Sequence, residues 1–254
     1  MLLAGKKGLV LNVTNEYSIG WAIAKALADH GAHVGVGAQN EKMQQRVQKL
    51  IGDDDRFSQF IIDFADDAQL DQLAVDVKER MGKIDFLVHS AAFANKEDLQ
   101  GRFIDSSRDG FSLAADISAF SLVRLCRVLE DVINDDGSVM CLSYLGSVRA
   151  CLNYNIMGVA KAALESCVRY LAVDLGPRGI RVNTLSPGPI NTISARGVKG
   201  LLDMIEHVNM RSPLKREYGQ EEVAGSAVYL ASDLSRGVTG QVIYIDNGYN
   251  IVGT

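Results

Sequence analysis

The sequence is poor in the residues that hold metals or build cross-links. Among its 254 residues are four cysteines, Cys126, Cys141, Cys151 and Cys167, and four histidines, His30, His33, His89 and His207. No two cysteines form a CxxC pair and the histidines lack metal-ligand spacing, so neither a zinc site nor a disulfide framework is expected. In a reducing compartment such thiols serve as small core hydrophobes. A basic excess is missing as well: Lys and Arg number 26 against 31 Asp and Glu, for a formal net charge of −5. That excludes general nucleic-acid binding, though not a local basic patch. No apolar run approaches the roughly 20 residues that span a bilayer. Met1-Leu2-Leu3-Ala4-Gly5-Lys6-Lys7-Gly8 has too few apolar residues ahead of its lysines for a secretory signal. A cytoplasmic location is therefore the expectation. The dinucleotide fingerprint GxGxxG is absent too.

What is there is a globular composition, 47% hydrophobic and 22% charged, in a length that suits one large domain over residues 1–254. Short aliphatic runs at Gly8–Val13, His33–Gly37, Phe57–Ile61, Phe86–His89, Ser138–Leu142, Arg181–Leu185 and Val242–Ile245 read as strands. Amphipathic stretches at Ile19–His30, Glu41–Ile51, Asp67–Met81, Phe111–Val132, Tyr154–Leu175 and Glu221–Leu230 read as helices. Nearly unbroken apolar strands joined by helices predict an α/β fold: a single doubly wound parallel sheet of Rossmann type, helices on both faces. Two stretches break the rhythm, Ala92–Asp109 and Ser186–Pro213. Long segments at strand ends are candidates for a substrate-binding lid. No second domain, linker or repeat is visible.

The first strand runs into Asn12-Val13-Thr14-Asn15-Glu16-Tyr17-Ser18-Ile19-Gly20 and then a helix. Such a turn offers backbone N–H groups and a positive helix end to a pyrophosphate. The same segment also reads as a plain βα turn with Ser18 as its N-cap. Asn12 stands where a glycine is usual, and asparagine tolerates the left-handed backbone better than most residues. After the second strand, Gln39 is neutral: it can bond ribose hydroxyls but offers nothing to a 2′-phosphate, which favours NADH over NADPH. Asp63 and Phe64 follow the third strand, where the carboxylate could accept from an adenine amino group. His89-Ser90-Ala91-Ala92-Phe93-Ala94 follows the fourth, with small residues suited to backing a flat ring.

Tyr154 and Lys161 carry the chemistry. Seven residues is about two helical turns, so both side chains leave one face. A phenol with a pKa near 10 needs a cation beside it to act in acid–base work. An isolated Tyr-x6-Lys is more often a packed tyrosine and a surface lysine. Tyr144, at the end of another strand, should face the same crevice, and three such groups converging are hard to explain by packing. Ser186-Pro187-Gly188-Pro189-Ile190-Asn191-Thr192 adds a rigid, shaped loop. There the Ile190 backbone could hold a carboxamide and the Thr192 hydroxyl could reach the pyrophosphate.

Together these residues resemble the short-chain dehydrogenase/reductase superfamily, and within it the bacterial enoyl-acyl-carrier-protein reductases, over nearly the whole chain. The resemblance rests on Ser18-Ile19-Gly20-Trp21, Ser143-Tyr144-Leu145-Gly146, Asn153-Tyr154-Asn155 with Met157-Gly158 and Lys161, and Gly188-Pro189-Ile190 with Thr192. The superfamily's common Tyr-x3-Lys fails because position 158 is Gly; Tyr-x6-Lys with Tyr144 upstream is the enoyl reductase pattern. The resemblance implies NADH-dependent reduction of the C2=C3 bond of 2-enoyl thioesters in fatty acid elongation, on a substrate carried by acyl carrier protein. It implies Tyr154 and Tyr144 as active-site groups and Lys161 on the nicotinamide ribose. It implies nucleotide contacts from Asn12, Ser18, Ile19, Gln39, Asp63, Phe64, Ala91, Ile190, Asn191, Thr192, Ile193 and Ser194, and a substrate contact from Ala94. Hydride addition to C3 leaves charge on the thioester oxygen, against which the Tyr154 hydroxyl is expected to stand. A homotetramer is also implied, with the helices of Phe111–Val132 and Tyr154–Leu175 as interfaces. Arg196, Lys199, Arg211, Lys215 and Arg216 form either a carrier-docking patch or a solvated face. The departures are Asn12 and Ala92, both usually glycine. The alternatives are a carbonyl reductase or alcohol dehydrogenase of the same superfamily, and a catalytically silent nucleotide-binding regulator.

Overall fold

The computed structural model describes residues 1–193 and 195–253. Its strands are β1 (Lys7–Leu11), β2 (His33–Ala38), β3 (Phe57–Ile61), β4 (Ile84–His89), β5 (Ile133–Leu142), β6 (Arg181–Pro187) and β7 (Val242–Ile245). All pair in parallel, in the order β3-β2-β1-β4-β5-β6-β7. The chain thus winds outward from β1 in one direction, crosses back to β4, and continues in the other. The doubly wound sheet expected from the sequence is the one observed.

Alternation along the strands decides what lies on each face. Leu9 and Leu11 of β1 join one core with Val139 and Cys141 of β5, while Val10 joins the opposite core with Met140. The first core is closed by α3 (Asp67–Arg80), α6 (Ser121–Leu129) and α7 (Asn155–Leu175). The second is closed by α1 (Ile19–Asp29), α2 (Glu41–Ile51) and α9 (Gln220–Ala231). In α1 the residues Gly20, Ile23, Ala24, Leu27 and Ala28 are buried, the i, i+3, i+4, i+7 stripe of a helix lying on a sheet. Burying each such Leu or Ile contributes about 1.5–3 kcal/mol.

Two stretches differ from the sequence reading. Phe111–Val132 is not one helix: α5 (Arg108–Ala115) passes through a π-helical turn at Asp116–Phe120 into α6. The segment after it becomes the start of β5, ten residues long against the five expected. The irregular stretch Ala92–Asp109 holds two short turns, α4 (Lys96–Leu99) and a 3-10 turn at Phe103–Asp105, before α5 begins; α4 is pinned by Asp98, which is buried and accepts from the Ser107 N–H at 2.9 Å. After β6 the chain makes α8 (Leu201–Arg211), which stands over the strand ends.

Candidate active site

The carboxyl ends of β4, β5 and β6 and the start of α1 surround a cavity of about 490 Å³. Tyr144, Tyr154, Lys161, Ile19, Ile190, Thr192 and Ala94 all line it, and Leu201 and Met204 of α8 cover one side. Asn12, Ser18, Gln39, Asp63, Phe64, Ala91, Asn191 and Ile193 do not line it; most follow the strand ends toward β3. Ser194 lies outside the described residues.

At the phosphate-type turn, Asn12 has φ 69°, the left-handed conformation anticipated for it. Its amide donates to the Ser90 carbonyl at 3.0 Å, joining the ends of β1 and β4. Ser18 is the N-cap of α1, accepting from the Trp21 N–H at 3.2 Å, and the first turn carries no acidic residue. No carboxylate within that first turn opposes the positive helix end. Gly20 is tight: a Cβ there would meet Ser90 Oγ at 3.0 Å. At the end of β2 the exposed Gln39 amide donates to Asp63 Oδ2 at 3.4 Å. Phe64 is buried and packs edge-on against His89, so its ring belongs to the core. Ala91 is buried beside it in the same cluster. The Thr192 hydroxyl accepts from the Ala195 N–H at 3.1 Å. Asn191 accepts from Arg196 on the outer side of this loop, and Ile193 is exposed.

The tyrosines meet edge to face, with ring centroids 4.9 Å apart. Tyr144 leaves the end of β5, and Tyr154 immediately precedes α7 between Asn153 and Asn155, both at positive φ. Two glycines make room for this. A Cβ on Gly146 would stand 2.5 Å from the Tyr154 ring, and one on Gly158 would stand 2.8 Å from the Gly146 carbonyl oxygen. Position 158, where Tyr-x3-Lys would place its lysine, is therefore closed to any side chain.

Lys161 is buried at 4% exposure, and its ammonium donates to the Leu142 carbonyl at 2.7 Å. Burial pushes it down to about 8, opposed by Cys141 and Glu165. Both phenols are pushed up, chiefly by burial and then by Cys151. The expectation that Lys161 would make Tyr154 more acidic is thus corrected: desolvation dominates, and the ammonium is directed at a backbone carbonyl. Both tyrosines stay neutral hydrogen-bond donors. His89 is fully buried, bonds Ser121 at 2.7 Å and is driven down to about 3 by burial and then by Lys161.

Sequence reasoning missed two contributors. Met204 accepts from the Tyr144 hydroxyl at 2.9 Å, and Glu165, 5% exposed, accepts from the Ser143 hydroxyl at 2.5 Å. The i, i+3, i+7 spacing of Leu201, Met204 and Val208 was a usable signal for the first; a glutamate four residues after a lysine gives none. Arg196, Lys199, Arg211, Lys215 and Arg216, on the segments flanking and ending α8, are all exposed.

The family described as enoyl-(acyl carrier protein) reductase matches residues 13–250. The enoyl-[acyl-carrier-protein] reductase [NADH] 1 of Rhizobium meliloti is 46% identical over 252 residues, covering 99% of this chain and 93% of that protein. The corresponding NADH enzyme of Synechocystis is 46% identical over 254 residues, covering 99% and 98%. The crystal structure of the Bacillus cereus enoyl-acyl carrier protein reductase with NADP+ and indole naphthyridinone superposes with a TM-score of 0.97 at 44% identity, covering 100% of this chain and 99% of that one. The Anaplasma phagocytophilum reductase, crystallised with NAD, gives 0.94 at 37% identity, covering 100% and 95%.

Proposed function

This chain belongs to the enoyl-(acyl carrier protein) reductase family, and from that premise we propose that it reduces the C2=C3 bond of 2-enoyl thioesters with NADH in fatty acid elongation. One observation carries the reading: Tyr144, Tyr154 and Lys161 converge on one cavity with Ile19 and Thr192 at its nucleotide end.

The residues suit a dinucleotide. The α1 N-terminus, free of acidic side chains in its first turn, favours a pyrophosphate, and Gly20 lets the start of α1 pack closely against Ser90 and Val13. Lys161 holds the nicotinamide ribose, and Ile190, Asn191, Thr192 and Ile193 form the loop across the nicotinamide end. Asn12, Ser18, Ile19, Gln39, Asp63, Phe64 and Ala91 follow the nucleotide from pyrophosphate to adenine. The Asp63 carboxylate beside Gln39 disfavours a 2′-phosphate, which supports NADH. Bound NADH supplies the hydride that adds to C3.

Charge then develops on the thioester oxygen. A neutral Tyr154 hydroxyl donates to that oxygen, as in an oxyanion hole, and its raised pKa keeps it a donor across the working range. Solvent protonates C2. Tyr144 shields the site and orients the acyl chain, which Ala94 contacts. Lys161, a cation at neutral pH, anchors the ribose and favours the developing negative charge.

A carbonyl reductase would need a free hydroxyl such as that of Ser143, and this one is buried and committed to Glu165. The thioester arrives on acyl carrier protein, and the exposed Arg196, Lys199, Arg211, Lys215 and Arg216 support docking of an acidic carrier. Exposed Phe111, Phe120, Tyr170 and Val173 along α5 to α7 support assembly as a homotetramer. No helix among the described residues is long and apolar enough to cross a membrane, which fits a cytoplasmic enzyme. Following NADH and NADPH oxidation in parallel with crotonyl and acetoacetyl thioesters tests the reading. Faster NADH oxidation with the crotonyl substrate is expected. Turnover of acetoacetyl alone would select the carbonyl reductase, and turnover of neither a silent nucleotide-binding protein.

A further inference from the structure

A carboxylate in the core of an α/β enzyme is costly unless something requires it. Glu165 is such a group, on the inner face of α7 with Lys161, Leu164 and Val168. It stands one helical turn after Lys161, a spacing that puts the two Cβ atoms about 5–6 Å apart. The two charges take different partners on the same strand end: Lys161 donates to the Leu142 carbonyl, and Glu165 accepts from the Ser143 hydroxyl. At 2.5 Å the latter has the length of a hydroxyl-to-carboxylate bond, shorter than one between neutral groups. The next residue is Tyr144. Two consecutive residues, Leu142 and Ser143, are thus tied to α7 by two oppositely charged side chains, directly before Tyr144.

We propose that Glu165 is a positioning residue of this site: through Ser143 it fixes the strand end that carries Tyr144, and it supplies the negative charge that balances the buried Lys161 ammonium. The proposal rests on the reading of Lys161 and the tyrosines given above. The other titratable groups around the pair are neutral near pH 7. His89 of β4 is driven down by burial, Cys141 of β5 is pushed up to about 12, and Tyr244 of β7 is pushed up. None of them can substitute for the Glu165 charge, so Lys161 has one near anion among these neighbours.

The test is a titration of Lys161 by the carbon resonance of its ε-methylene, in the protein free of nucleotide, together with the pH profile of crotonyl thioester reduction. Glu165→Gln keeps the shape and an acceptor for Ser143 but removes the charge. Its Lys161 midpoint is expected to fall by about one pH unit or more, the effect of losing an opposite charge at this range. A shift from about 8 to about 7 lowers the protonated fraction about threefold at pH 7.5, so kcat/KM falls by that factor there and little at pH 6. Ser143→Ala keeps the charge and should lower kcat without moving the midpoint. Glu165→Asp, which keeps the charge on a shorter arm, serves as a second variant: its midpoint stays within a few tenths of a unit while kcat falls. An unmoved midpoint in Glu165→Gln, or an equal shift in Glu165→Asp, overturns the proposal. The resonance needs no turnover, so a wild-type protein without enoyl reductase activity would sink the functional reading and leave this result readable.

Discussion

The Tyr144 hydroxyl points at the sulfur of Met204, 2.9 Å away, so a residue from the sheet and a residue from α8 close the wall of the cavity between them. The same two side chains border a second cavity of about 400 Å³ on the far side, lined also by Cys151, His207 and Tyr249. A thioether is a weak acceptor, so this wall is held mainly by packing. Met204→Ala should join the two spaces and raise kcat/KM for a dodecenoyl thioester over that for crotonyl by about tenfold, the scale of a methylene's fit in an apolar pocket. Parallel kinetics with the two chain lengths check it, and an unchanged ratio would show that this wall does not limit the acyl chain.

Removing the Tyr154 hydroxyl tests the central chemical claim. Tyr154→Phe should lower kcat about 10²–10³-fold, the usual effect of losing one donor to a developing oxyanion. Circular dichroism and Tm should stay close to wild type, because the ring and its contact with Tyr144 remain. Lys161→Ala should also lose most activity and weaken NADH binding, measured by fluorescence titration. Near-normal turnover in both variants would remove the mechanism.

The close approach of α7 to the turn after β5 is testable without touching a functional group. Gly146→Ala puts a methyl against the Tyr154 ring. Overpacking of this kind costs about 1–3 kcal/mol. Either the ring moves and kcat falls at least tenfold, or it holds and the midpoint of urea unfolding drops. A variant unchanged in both would mean that the glycine is not required there.

His89 sets a pH dependence of stability. Its folded value, about 3, lies below the ordinary 6.5, so the folded state disfavours the protonated ring. The corresponding stability is fully present above about pH 6.5 and is lost as pH falls toward 3, because the unfolded chain takes up a proton that the folded chain refuses. Urea midpoints measured between pH 7 and pH 4 should decline, and His89→Gln should flatten the slope. An equal slope in both proteins would assign the decline to carboxylates instead.

The exposed cations around α8 lead to a kinetic split. Reversing Arg196 and Lys199 to glutamate should raise KM for an enoyl chain on the carrier protein about tenfold or more at low salt, with the difference shrinking as salt rises. KM for a CoA thioester should rise far less. Equal rises for both substrates would reject carrier docking at this surface.

Much of the fold could be read because buried parallel strands are nearly continuous aliphatic runs. β6, buried along its whole length, starts at the Arg181 expected of it, and even the partly buried edge strands β3 and β7 fall on the residues expected of them. The beginning of β5 could not, because Asn134, Asp135 and Asp136 read as a loop, and Asp136 sits at positive φ. Nor could the π-helical turn, since one extra residue in a helix leaves the composition unchanged. The convergence of Tyr144, Tyr154 and Lys161 on one cavity was legible because three such groups from one strand end and one helix are hard to explain by packing, although Tyr-x6-Lys alone has other uses. Glu165 was not, because a lysine and a glutamate four apart on a helix look like an ordinary solvated pair. Only the depth of α7 beneath the strand end distinguishes the two cases.

The asparagine at the tip of β1 does more than bend the chain. A glycine there would give the same left-handed turn with nothing attached to it. Asn12 adds a clasp to Ser90 across the seam where the winding of the sheet reverses. The entropy of arranging the two tips is therefore lost once, during folding, and not again when a ligand arrives. A preorganised crevice of this kind binds with less reordering.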